Sequence, residues 1–78
     1  MVELYILCGK KESEENIIFI IEESDALSDM ILTRKAQNIF KELKPKYEDI
    51  TRMQAIFIAR SEEQKIFARE KFKKVNRY

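Results

Sequence analysis

The chain has 78 residues, is 45% apolar and 37% charged, carries a net charge of +1, and contains one cysteine and no histidine. A chain this short forms a single compact domain, residues 1–78, with a thin stability margin of its own. Its composition excludes an internal disulfide and an ordinary zinc site, which leaves a partner subunit as the expected source of added stability.

The N-terminal segment VELYILC, residues 2–8, is β-branched, aliphatic and aromatic and predicts a strand. Alternation puts Val2, Leu4, Ile6 and Cys8 on one face and Glu3, Tyr5 and Leu7 on the other. The polar run GKKESEEN follows, opening with the only glycine, and predicts a turn. NIIFIIEE, residues 16–23, is continuously apolar at its centre, as a strand covered at least partly on both faces would be. The two segments predict an antiparallel hairpin.

A helix is expected from Ser24 or Asp25, both good N-caps, to just before Pro45. Leu32, Ala36, Ile39, Phe40 and Leu43 keep helical spacing, whereas Leu27, Met30 and Ile31 fall on nearly the opposite side of the same wheel. One long helix is favoured over a pair broken at Thr33, with the early trio left for a neighbouring element or a second subunit. KPKYED reads as a loop.

RMQAIFIA, residues 52–59, predicts a third strand with Met53, Ala55, Phe57 and Ala59 on one face and Ile56 and Ile58 on the other, helix being the competing reading because Met, Gln and Ala are good helix formers. Ser61 with Gln64 forms a capping-box signature for a last helix over about 61–76, with Phe67, Ala68, Phe72 and Val75 inward. The predicted fold is therefore α+β, order ββαβα: a three-stranded, at least partly antiparallel sheet with two helices on one face. The predicted core is Leu4, Ile6, Ile17, Phe19, Ile21, Leu32, Ile39, Phe40, Leu43, Phe57, Phe67, Phe72 and Val75. That arrangement leaves Tyr5, Leu7, Ile18, Ile20, Ile56 and Ile58 on a second, uncovered sheet face, the expected protein interface.

The near-neutral total conceals a charge split. Residues 1–29 hold two basic against eight acidic groups, a sum of −6, and residues 30–78 hold thirteen against six, a sum of +7. Lys65, Arg69, Lys73 and Arg77 recur every four residues and would draw one line along the last helix. A solvated helix face explains such a line, and its cations also suit a helix C-terminus. With Lys74, Arg34 and Lys41 it would equally serve as a phosphate-contacting stripe for RNA or DNA. A third expectation has the acidic hairpin of one copy meeting the basic helix of another.

Catalytic signals are sparse. Cys8 lies beside Lys10 and Lys11 but has no histidine base, no second cysteine and no helix start after it, so it reads as a small buried hydrophobe. The carboxylate groups at Glu12, Glu14 and Glu15 and at Glu22, Glu23 and Asp25 lack the alternation and glycine of a Ca²⁺ loop. No P-loop, GxGxxG or GxSxG occurs. Tyr5, Phe19 and Phe57 would serve as a base-stacking set only if they shared an open sheet face.

The sequence thus predicts a non-enzymatic, cytoplasmic interaction module without cofactor, metal or small-molecule substrate and without membrane contact. It would self-associate or dock to another protein, with nucleic-acid binding as the alternative.

Overall fold

The computed structural model describes residues 1–78. The elements are β1 (Val2–Lys10), β2 (Asn16–Glu23), α1 (Asp29–Leu43), β3 (Ile50–Ala59), α2 (Glu62–Lys71) and β4 (Val75–Arg77). The class is α+β, as expected, but the sheet has four strands in the order β3-β1-β2-β4. β1 pairs antiparallel with β2 and with β3, and β4 pairs parallel with Ile18–Ile20 of β2. The sheet is mixed, with β3 and β4 at its edges.

The helices lie on opposite faces, which corrects the expectation of two on one face. Leu4, Ile6 and Cys8 point to the face covered by α1, where they pack with Phe19, Ala36, Ile39, Leu43 and Ile50. Tyr5 points the other way, into a smaller cluster with Ile20, Ala59, Ala68 and Phe72 under α2. Both strand faces are apolar because each has its own helix.

α1 starts later than expected. Residues Ser24–Leu27 close a turn, with the Leu27 amide donating to the Ser24 carbonyl at 3.2 Å, and Ser28 caps the helix by accepting from the Ile31 amide at 3.3 Å. The helix is continuous over 29–43 and buries only the Leu32, Ala36, Ile39 and Leu43 stripe. Met30 and Ile31 are left exposed.

α2 has the predicted capping box: the Gln64 amide donates to Ser61 Oγ at 3.1 Å, and the Ser61 amide donates to Gln64 Oε1, also at 3.1 Å. It ends at Lys71, short of the predicted 76. The Phe72 amide makes the last helical bond, to the Ala68 carbonyl, and Phe72 then turns inward against Tyr5 at 5.3 Å between ring centroids. That burial stops the helix and sends residues 75–77 along β2 as a strand. Val75, expected in the core, is consequently exposed, and Phe67, also expected there, is about half exposed although it lies within α2.

Gly9 also differs from expectation. It lies inside β1, opposite Asn16 and Arg52, and the turn falls after Lys10 with Glu12 in the left-handed region at φ 57°. β3 carries two bulges: Gln54 is passed over between Ala55, opposite Leu7, and Met53, opposite Cys8, and Thr51 is passed over between Arg52 and Ile50. A Cβ on Gly9 would sit 3.1 Å from Thr51 Oγ1, a tight approach beside the second bulge. The bulge at Gln54 also moves Met53 to the α1 side, with Ile56 and Ile58, instead of the predicted side of Phe57.

Candidate interaction surfaces

The charge split folds back on itself. All four side-chain ion pairs join the acidic N-terminal part to the basic remainder: Glu3–Arg69 at 2.5 Å, Asp29–Arg60 at 2.6 Å, and Glu23–Lys35 and Glu22–Arg77 at 3.2 Å each. Two of these answer a local problem. Glu3 and Glu22 are directly opposite each other across β1 and β2, a like-charge pairing that opposes the hairpin. Arg69 from α2 and Arg77 from β4 each neutralise one of them.

Glu3 is the only charged residue in the buried set. Its carboxylate accepts from the Tyr5 hydroxyl at 2.9 Å and from Arg69 at 2.5 Å. Burial pushes the Glu3 carboxyl up, but hydrogen bonds from Arg69 and Tyr5, with the charges of Arg69 and Lys65, outweigh it and hold the group below its usual range. The Tyr5 phenol is pushed up to about 12, by burial first and by its bond to Glu3 second. The Arg69 guanidinium is raised chiefly by the same hydrogen bond to Glu3.

Around this pair runs a groove of about 610 Å³ lined by Lys65, Arg69, Lys73 and Arg77 together with Glu3, Glu22 and Tyr5. The four cations predicted to share a helix stripe therefore do converge, although α2 supplies only Lys65 and Arg69. Lys73 lies in the connection and Arg77 on β4. Lys74 lines a neighbouring cleft with Lys71 and Lys73, facing Glu14 and Glu15. Arg34 and Lys41 belong to α1, across the sheet, so the seven predicted cations form no single surface.

The six residues of the predicted interface separate in the same way. Tyr5 and Ile20 are buried under α2, Leu7 and Ile18 are half-buried beside them, and Ile56 and Ile58 pack on the α1 side. α2 and Phe72 cover the part of this face around Tyr5, Ile20 and Ala59, and beyond them Leu7 and Ile18 line the cleft that holds Lys71, Lys73 and Lys74. Phe19 likewise lies across the sheet from Tyr5 and Phe57, so the three do not form a stacking platform.

What remains open is an edge. β3 pairs with β1 on one side only, and along its second half Ala55 is exposed while Ile56, Phe57 and Ile58 are half-buried. Phe67 of α2, about half exposed, continues this apolar surface, its ring 5.8 Å from that of Phe57. The residues were visible in the sequence as a strand, but their place at the sheet edge was set by strand order.

No cluster of three or more acidic or thiol ligands assembles a metal site. Cys8 is fully buried in the larger core, where burial pushes its thiol up to about 11. No helix is long and apolar enough to cross a membrane. Comparison with protein-family models, curated proteins and solved structures finds no match.

Proposed function

We propose that this chain is a small non-catalytic protein-association module whose contact strand is the second half of β3. The observation that supports it is the apolar, uncharged run Ala55–Ala59 on a sheet edge with no strand on its outer side, exposed at Ala55, half-buried at Ile56–Ile58 and buried at Ala59. Such an edge presents unpaired amides and carbonyls to another chain, and natural proteins guard it with lysine, proline or bulges when it is not meant to pair. Here both bulges lie in the first half, around Thr51 and Gln54, and no charge or proline falls between Arg52 and Arg60. Site-specific photo-crosslinking in the cytoplasm tests this, with the reactive side chain at Ala55 and, as control, at Glu48. Protein adducts of discrete mass should form from position 55 and not from 48. Equal labelling from both positions, or none from 55, would overturn it.

A second reading has one observation in its favour: Lys65, Arg69, Lys73 and Arg77 line a single groove. As a phosphate-contacting surface for RNA or DNA it would rely mainly on Lys65, Lys73 and the adjacent Lys74, because Arg69 and Arg77 already hold Glu3 and Glu22. Binding to mixed-sequence RNA or DNA should then weaken steeply with salt, and Lys73→Glu with Lys74→Glu should flatten that dependence. Arg69→Glu is unsuitable, since it would set a second carboxylate against buried Glu3. Binding that ignores both salt and the two lysines would end this reading.

A further inference from the structure

The segment Ala55-Ile56-Phe57-Ile58-Ala59 reads the same in both directions. In a solvent-facing loop this would be incidental, but this segment is the unguarded half of an edge strand. Resting on the association reading above, we infer that the occupant of this edge is a second copy of the chain, paired antiparallel through β3 about a two-fold axis at Phe57.

A two-fold axis normal to the sheet pairs each residue with its symmetry counterpart. Centred on Phe57, it sets Phe57 against Phe57 of the second copy, Ile56 against Ile58, and Ala55 against Ala59. Every cross-strand pair is then apolar and matched in size, aromatic with aromatic, branched with branched, small with small. Outward of these pairs Gln54 is bulged and Arg60 lies beyond the strand, held by Asp29, so the paired segment ends without like charges meeting. Shifting by one residue sets Phe57 against Ile56 or Ile58 and ends the self-matching, which gives the register its specificity.

The faces agree with this pairing. Directly opposed residues in an antiparallel pair lie on the same side of the sheet, so both copies of α2 share one side and both copies of α1 the other. On the α2 side, each half-exposed Phe67 stands beside its own Phe57 and extends the aromatic contact at the axis. On the α1 side, Ile56 and Ile58 meet their counterparts. The product is one continuous eight-stranded sheet. A charged extended peptide would find no counter-charge from Met53 to Ala59, which disfavours an acidic or basic partner strand.

Three measurements on the full chain test the inference. Sedimentation equilibrium at micromolar concentration should show a monomer–dimer equilibrium. Ala55→Lys, a change at an exposed edge position that leaves the fold intact by circular dichroism, should raise the dissociation constant roughly tenfold or more. Under mild oxidation Phe57→Cys should give a covalent dimer, whereas Glu48→Cys should not, the native Cys8 thiol being buried. A dimer indifferent to Ala55→Lys that fails to cross-link through Phe57→Cys would overturn the β3 pairing. A strict monomer would also overturn it. If position 55 meanwhile photo-crosslinks a different protein, the association reading stands and only its occupant changes.

Discussion

The two faces of the sheet are built on different principles. Under α1, Leu4, Ile6, Cys8, Phe19, Ala36 and Leu43 form an apolar core and are themselves nearly inaccessible, with half-buried Ile17, Ile21, Phe40 and Met53 around them. Under α2, only Ala68 of the helix itself is buried, and the face is held by aromatic contacts among Tyr5, Phe57, Phe67 and Phe72 and by the Tyr5–Glu3–Arg69 network. The first face uses non-directional burial and tolerates no gap. The second uses directional bonds around one ionised carboxylate, and so depends on pH and on single polar atoms. A helix of ten residues with one buried position could not cover its face by burial alone.

The two faces should respond unequally to truncation. Leu4→Ala removes a fully buried side chain from the α1 face and should lower the unfolding free energy by about 3 kcal/mol in urea titration, because the surrounding core relaxes only partly around the cavity. A loss below about 1 kcal/mol would mean that the α1 face is not the chief source of stability.

On the α2 face the intermediate effect comes from one hydroxyl. Tyr5→Phe keeps the ring but removes a donor from the buried Glu3 carboxylate, and should cost about 1–2 kcal/mol at neutral pH. The pH dependence carries the sign. Glu3 ionises below its usual range in the folded protein, so its contribution is complete above the unfolded value of about 4.3 and disappears as pH falls through the lower folded value. Urea midpoints measured from neutral pH down to acid should therefore fall less steeply in Tyr5→Phe than in the unaltered chain. Parallel curves would show that Tyr5 does not hold the ionised carboxylate. At the other extreme the phenol, raised to about 12, keeps its contribution below the unfolded tyrosine value of about 10 and loses it as pH rises through 12.

These two faces were not equally legible in the chain. The hairpin, the α1 stripe and the Ser61–Gln64 box follow from local period and capping chemistry, and each sits where those rules place it. The α2 side was misplaced because its determinants are non-local. Continuous apolarity in β2 says that both faces are covered but not by which helix, and the four-residue rhythm of Lys65, Arg69, Lys73 and Arg77 imitates a helix that Phe72 interrupts by turning inward. β4 has one apolar residue in three and becomes a strand only because β2 offers it an edge. The Glu3–Arg69 pair joins residues 66 positions apart, and alternation sets Glu3 with Tyr5 and Leu7 on the face expected to be uncovered, so nothing local marks its carboxylate as buried. Strand order, which exposes β3 as an edge, has no signature within β3 itself.

The smallest effect separates the monomer from the proposed assembly. Phe67 is about half exposed, touches Phe57 at 5.8 Å, and has Lys71 Nζ 5.5 Å from its ring centroid. In an isolated copy Phe67→Ala should therefore cost only about 0.5–1 kcal/mol, the scale of one partly solvated aromatic contact. In the two-fold assembly the same ring extends the buried contact at the axis. Because a partner that binds only the folded chain raises its apparent stability by mass action, the penalty of Phe67→Ala should grow as protein concentration rises. Thermal midpoints of both chains across a concentration series provide the measurement. A constant gap between them would place Phe67 on a free surface, and a widening gap would place it at the subunit contact beside Phe57.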